Sequence, residues 1–164
     1  MLHKLLNRTK REKGFTIIEV MIVLAIAGLI MVVVLIAVPQ LQRSQRDSTR
    51  QTVVNRLSTE LGTYASNNNG KYPFVAADFT DFNTRYITGK VELKNPQTGD
   101  EYTLVVATAG AAAGQLPTSA QIMMYPGTSC SGETATGTVT LSSRQYSAVV
   151  QLERSGIYYC IDNN

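Results

Sequence analysis

The sequence predicts an α+β chain: one long N-terminal α-helix, apolar all round in its first half and amphipathic in its second, packed on a small antiparallel β-sheet. Three observations carry that expectation. Residues 20–38 contain no charge, apolar residues recur at helical spacing through residues 53–65, and residues 101–161 alternate short β-branched or aromatic runs with turn formers. At 164 residues the chain has room for one folded unit with appendages.

The chain begins with a basic stretch. Residues 1–14 hold Lys4, Arg8, Lys10, Arg11 and Lys13 against the single acid Glu12, whereas the remainder carries ten basic and eleven acidic residues. The net charge of +3 therefore belongs to this leader, and nucleic-acid binding is not indicated for the rest of the chain. Asn7-Arg8-Thr9 matches a glycosylation sequon, but in a segment expected to stay cytoplasmic.

Val20 to Val38 follows, nineteen residues whose only non-apolar member is Gly28. At 1.5 Å per residue, ~20 apolar residues cover the ~30 Å hydrocarbon core of a bilayer. A secretory signal has an apolar region of only ~7 to 15 residues and a small-residue cleavage site behind it. Here Pro39-Gln-Leu-Gln-Arg-Ser-Gln-Arg follows the run, so the segment is expected to stay, as a transmembrane helix over residues 15–38. The positive-inside rule orients it weakly, because Arg43, Arg46, Arg50 and Arg56 lie just beyond. Composition disfavours catalysis: His3 is the sole histidine, and Cys130 and Cys160 are thirty positions apart. Neither a Ser-His-Asp arrangement nor a paired-ligand zinc site can be built from this inventory. The expectation is a non-enzyme with no cofactor and no metal.

The junction before the run is Lys13-Gly14-Phe15-Thr16-Ile17-Ile18-Glu19-Val20. It puts a carboxylate at the edge of a lipid-suited segment, where a charge costs roughly 2.5 to 3.5 kcal/mol at the helix centre, so Glu19 needs a partner or a route to water by snorkelling. With a basic leader ending in Gly14, the aromatic Phe15 directly after it, and Glu19 five residues beyond the glycine, the sequence resembles the type IV pilin family and its pseudopilin relatives. The resemblance implies that a prepilin peptidase cuts between Gly14 and Phe15 on the cytoplasmic side and that the new N-terminal Phe15 is N-methylated. It also gives Glu19 a partner for assembly, the Phe15 amine of a neighbouring subunit; two buried opposite charges compensate each other, while either alone is strongly unfavourable. Many members carry a proline within the second half of the apolar run. Here the proline is Pro39, just past its end.

Helical patterning continues beyond the run. Val54, Leu57, Leu61 and Tyr64, flanked by Val53 and Ala65, mark one face, with Arg50, Asn55, Arg56 and Thr59 expected on the others. Asn67-Asn68-Asn69-Gly70 supplies a stop and Pro73 blocks resumption. A helix from Phe15 to about Ser66 would run roughly 75 to 80 Å. The Asn69 to Pro73 segment also looks like the end of the family's long helix, and the resemblance implies the pilin fold, with residues 39–70 continuing the transmembrane helix and a β-rich head beyond.

Residues 71–164 are the expected exported head and carry strand-like patterns: 101–108, 121–125, 145–152 and 156–161, the last two joined by Glu153-Arg154-Ser155 as a hairpin. Residues 109–114 and 127–137 read as surface loops. An exported Cys130 and Cys160 pair is expected to form a disulfide worth ~3 to 4 kcal/mol in the chain-entropy model, the alternative being two buried thiols. Asp78 with Asp81, and Asp100 with Glu101, are carboxylate pairs; the resemblance to pseudopilins raises calcium, but without a dense oxygen-ligand loop they read as solvated surface acids. Tyr125, Tyr146 and Tyr159 sit in strand patterns and read as core or sheet residues. The functional expectation is a filament-forming structural subunit, held in the cytoplasmic membrane with its N-terminus inside and later part of an extracellular pilus. Its implied partners are the peptidase, an inner-membrane assembly platform, the lipid bilayer and identical or related subunits. The alternative is a pseudopilin of a secretion or competence machine.

Overall fold

A computed structural model describes residues 14–141 and 144–163. The basic leader up to Lys13, with its sequon, lies outside them. The chain divides into two compact units, one ending at Leu41 and one spanning Gln42–Asn164, and helix α1 (Ile17–Asn67) contributes to both.

In the first unit α1 is exposed on every side. Its large apolar side chains range from 41% exposed at Val38 to 82% at Ile17, and Phe15 just before it is also 82% exposed. Pro39 lies inside α1, not after a break. The helix stops where the asparagine run predicts: Asn69 and Gly70 take left-handed φ values of 54° and 78°, and the Gly70 N–H caps the Ala65 carbonyl at 2.8 Å.

In the second unit the remainder of α1 covers one face of a four-stranded sheet, ordered β1 (Thr103–Val106), β2 (Gln121–Pro126), β5 (Tyr146–Gln151) and β6 (Tyr158–Asp162). Val54, Leu57 and Leu61 are fully buried against Ile122, Met124, Ala148 and Val150. The alternate residues Met123, Tyr125 and Val149 enter a second core on the other face. Both central strands are thus buried on both faces, which is why β2 and β5 carry near-continuous apolar runs where a one-sided sheet would alternate.

Four differences from the sequence-based expectation have physical causes. The sheet is not wholly antiparallel: β1 pairs parallel to β2, because residues 107–120 carry the chain back to the end where β1 began. Residues 127–137 are not a plain surface loop but a ribbon of β3 (Ser129–Ser131) and β4 (Thr134–Thr136), whose Ala135 closes the second core. The region after residue 71 is not strand-like throughout, for α2 (Ala76–Phe82) continues into a π-helical turn over Asn83–Ile87. Phe79, Phe82 and Tyr86 are helix-spaced; the Tyr64 ring meets those of Phe82 and Tyr86 at 5.7 and 5.4 Å. Finally, Arg50 does not lie on a solvated face; it is 1% exposed.

Candidate processing and assembly site

At the N-terminal edge of the apolar helix, Gly14, Phe15 and Thr16 are irregular and exposed, and a Cβ placed on Gly14 would meet nothing within 4 Å. At the junction expected from the sequence, Gly14 thus brings no side chain of its own, and the Phe15 ring after it is 82% exposed. α1 starts immediately after it.

Thr16 and Glu19 start the helix together. The Thr16 hydroxyl accepts the Glu19 N–H at 3.3 Å, and Glu19 Oε2 lies 3.5 Å from both the Thr16 N–H and its hydroxyl. This is a capping box, Thr-x-x-Glu, which places the carboxylate on the electropositive first turn. Both contacts to Oε2 are long and the carboxylate is exposed, so it has room for a stronger partner. Thr16, part of the junction motif, gains from the structure a capping role that the Thr-x-x-Glu spacing encodes.

The second unit brings together residues that sequence spacing did not connect. Arg46 Nε and Nη2 donate to Glu153 Oε2 and Oε1 at 2.6 and 2.5 Å, a two-pronged pair that grips the β5–β6 turn. The Glu153 N–H donates to Asp47 Oδ1 at 2.7 Å. One turn later Arg50 donates to the Gln151 carbonyl at 2.9 Å and to Gln97 Oε1 at 3.0 Å. Arg50 has an apolar-helix position but a long stem, so the guanidinium reaches backbone and amide oxygens at the sheet end. The hydrogen bond from Arg46 holds the Glu153 carboxyl below its ordinary value, and the same bond raises the Arg46 guanidinium. Burial pushes the Tyr125 and Tyr146 phenols up to about 12, Tyr146 while bonded to the Ser58 hydroxyl at 2.8 Å.

Cys130 on β3 and Cys160 on β6 form a disulfide, with Cα atoms 5.8 Å apart. Beside it the Cys130 N–H donates to Asp162 Oδ2 at 2.7 Å. The β3–β4 ribbon is thereby fixed to the last strand. The four carboxylates considered for calcium do not converge: Asp81 pairs with Arg85 at 2.6 Å, Asp78, Asp100 and Glu101 are exposed, and among the described residues no group of three or more metal-ligating side chains occurs. Of the three strand tyrosines, Tyr125 and Tyr146 are each 1% exposed and Tyr159 is half-buried, its hydroxyl 3.3 Å from Asn55 Oδ1.

A family model described as the prokaryotic N-terminal methylation motif matches residues 9–35, covering the junction and most of the apolar run. Comparison with curated proteins and with solved structures found no match. The chain carries the type IV pilin and pseudopilin signal, followed by the long apolar helix. That signal supports a type IV pilin or pseudopilin, without saying which filament system the chain serves.

Proposed function

We propose that the chain is the structural subunit of a type IV pilus-like surface filament, processed between Gly14 and Phe15 and assembled through the helix that begins there. The observation that carries this is the meeting of two features: the methylation motif, and the large apolar side chains from Phe15 to Leu41 that are exposed among the described residues. Such a surface needs lipid or other copies of itself, and a filament subunit uses both in turn.

Before assembly the bilayer holds residues 15–38, with the leader of residues 1–14 in the cytoplasm and residues 39–70 leading to the exported head at 71–164. A prepilin peptidase removes the leader and the Phe15 amine is methylated. An inner-membrane platform then passes the subunit into a helical array, where the apolar surfaces replace lipid. Glu19 is the one carboxylate on that surface, and the Phe15 amine of a neighbour is its partner. Local contacts to Thr16 keep the acid satisfied until that stronger, charge-assisted bond replaces them. The filament lies outside the cell and serves adhesion, motility or DNA uptake. The same signal occurs in pseudopilins, so a short assembly within a secretion or competence machine is the alternative.

Mass analysis of the surface form tests the processing step: a methylated Phe15 N-terminus is expected, and an intact leader or a cut beyond Val38 would refute it. Electron microscopy of cells with and without the chain separates a surface filament from an envelope-confined assembly. Glu19→Val should insert as well as the parent, since it removes an acid from the membrane edge, yet shift protein from filament to membrane. Normal filaments from this variant would remove the pairing role.

A further inference from the structure

The arginines just beyond the apolar run gather on one surface of the second unit. Arg43, Arg46, Asp47 and Arg50 share a helix face, being three, four and seven residues apart from the first. That face holds the β5–β6 turn: Arg46 grips Glu153, Asp47 Oδ1 accepts the Glu153 N–H at 2.7 Å, and Arg50 donates to the Gln151 carbonyl at 2.9 Å. The turn thereby carries the exposed Arg154 close to the same face. Arg43 is within reach of it as well, since the hydrogen bond from Arg46 is the main cause that holds the Glu153 carboxyl down and the charges of Arg50 and Arg43 add to it.

Burial divides these cations. Arg50 is 1% exposed and Arg46 has both prongs on Glu153, so both are committed to the fold. Arg43 and Arg154 are exposed, and among the described residues neither has a carboxylate at salt-bridge distance. The two acids nearby are engaged, Glu153 by Arg46 and Asp47 by a backbone N–H. This surface keeps four cations against two acids, whereas the other residues of 42–164 hold six basic and eight acidic side chains.

We propose that Arg43 and Arg154 bind the phosphates of anionic phospholipid headgroups while the chain is held in the membrane. Position argues for this partner. Arg43 is the first charge after the charge-free run, five residues past Val38. At 1.5 Å per helical residue it falls about 7 Å beyond the end of that run, the depth of the ~5 to 8 Å headgroup layer that borders the hydrocarbon core. Chemistry argues for it too. A guanidinium presents its donors as a planar fork that matches two phosphate oxygens, and here the clasp through Arg46 and Glu153 already holds the two elements that carry the forks. The surplus of positive charge on this surface, against a deficit over the remainder of the unit, favours an anionic bilayer over a zwitterionic one. The contact rests on the membrane-held stage of the proposed function and adds a lipid class to it.

In the test the full chain carries a photo-crosslinking amino acid in place of the exposed Ser155, beside Arg154, and is reconstituted into vesicles of phosphatidylcholine mixed with phosphatidylglycerol. Lipid adducts at position 155 should be richer in phosphatidylglycerol than the vesicle by up to about thirtyfold, the ratio that about 1 kcal/mol for each of two arginines gives. The preference should fade at roughly 1 M salt, where the Debye length is ~3 Å. Arg43→Gln combined with Arg154→Gln should abolish it and leave the melting temperature of the chain unchanged, since both side chains are exposed. Adducts that merely follow the vesicle composition in the parent chain, or adducts to a second copy in place of lipid, would overturn the headgroup contact while leaving the membrane stage in place. A chain that washes off the vesicles at alkaline pH would overturn both.

Discussion

Helix α1 follows one local rule along its length and meets two fates. Between Ile17 and Leu41 its leucines, isoleucines and valines face outward, Leu29 at 67% exposed; between Gln42 and Asn67, Leu57 and Leu61 are at 0%. Helix propensity does not separate these stretches, since the first is rich in Ile and Val and the second in Ser and Thr, all residues of middling helix propensity. Partner supply does. The second stretch has one apolar stripe and a sheet face of matching width inside the same chain, whereas the first is apolar all round and no single sheet could cover it. The lesson is that an all-round apolar stretch lies beyond what one sheet face can bury, and on the proposed function lipid and other subunits supply the cover.

Substitutions at matched positions sharpen that contrast most. Leu57→Ala should destabilise the second unit by about 2 to 5 kcal/mol through lost burial and a residual cavity, measured by chemical denaturation of the purified chain. Leu29→Ala should leave that stability unchanged and instead reduce filament yield. Equal effects on head stability would break the comparison.

The disulfide comes next. Cys160→Ser frees the β3–β4 ribbon from the last strand and should cost about 3 to 4 kcal/mol, with faster proteolysis of the C-terminal segment as the direct measure. Mass analysis of the unreduced protein should show a two-hydrogen deficit for the parent chain; free thiols there would contradict the bond.

The smallest effect belongs to the Arg46–Glu153 clasp, which ties the amphipathic stretch to the β5–β6 turn. Glu153 titrates below its ordinary 4.5 in the folded chain because Arg46 donates to it. A depressed carboxyl contributes stability that is present above the unfolded value and lost as pH falls through the folded one. Loosening should therefore begin as the pH drops below about 4.5. Protection factors at residues 151–157, taken relative to the intrinsic exchange rate at each pH, should fall over that range, and Glu153→Gln should flatten the dependence. Protection factors that stay constant with pH in the parent chain would remove the clasp's role.

Much of this was legible because it is local. A charge-free run, the fixed offsets of Gly14, Phe15 and Glu19, and the stripe from Val53 to Ala65 are one-dimensional patterns, and the helix boundaries follow from an asparagine-glycine stop that needs no distant partner. The hairpin of β5 and β6 is likewise a short-range event. Where the sequence misled, the deciding contact was remote. Arg50 reads as a surface cation by type, yet Gln151 and Gln97 offer its donors oxygens, and these lie 101 and 47 positions away. The ribbon at 129–136 reads as a polar loop until the disulfide and the Cys130 to Asp162 bond give it a sheet edge to lie against. The direction of β1 depends on which way residues 107–120 return, a choice that no local propensity records. By itself the sequence determined the elements whose stability comes from neighbours along the chain, the helix and its apolar first half, together with the methylation motif that precedes it. The tertiary structure alone decided strand direction, the second core and the fate of Arg50, because each rests on contacts whose closure entropy is recovered only when the whole head packs.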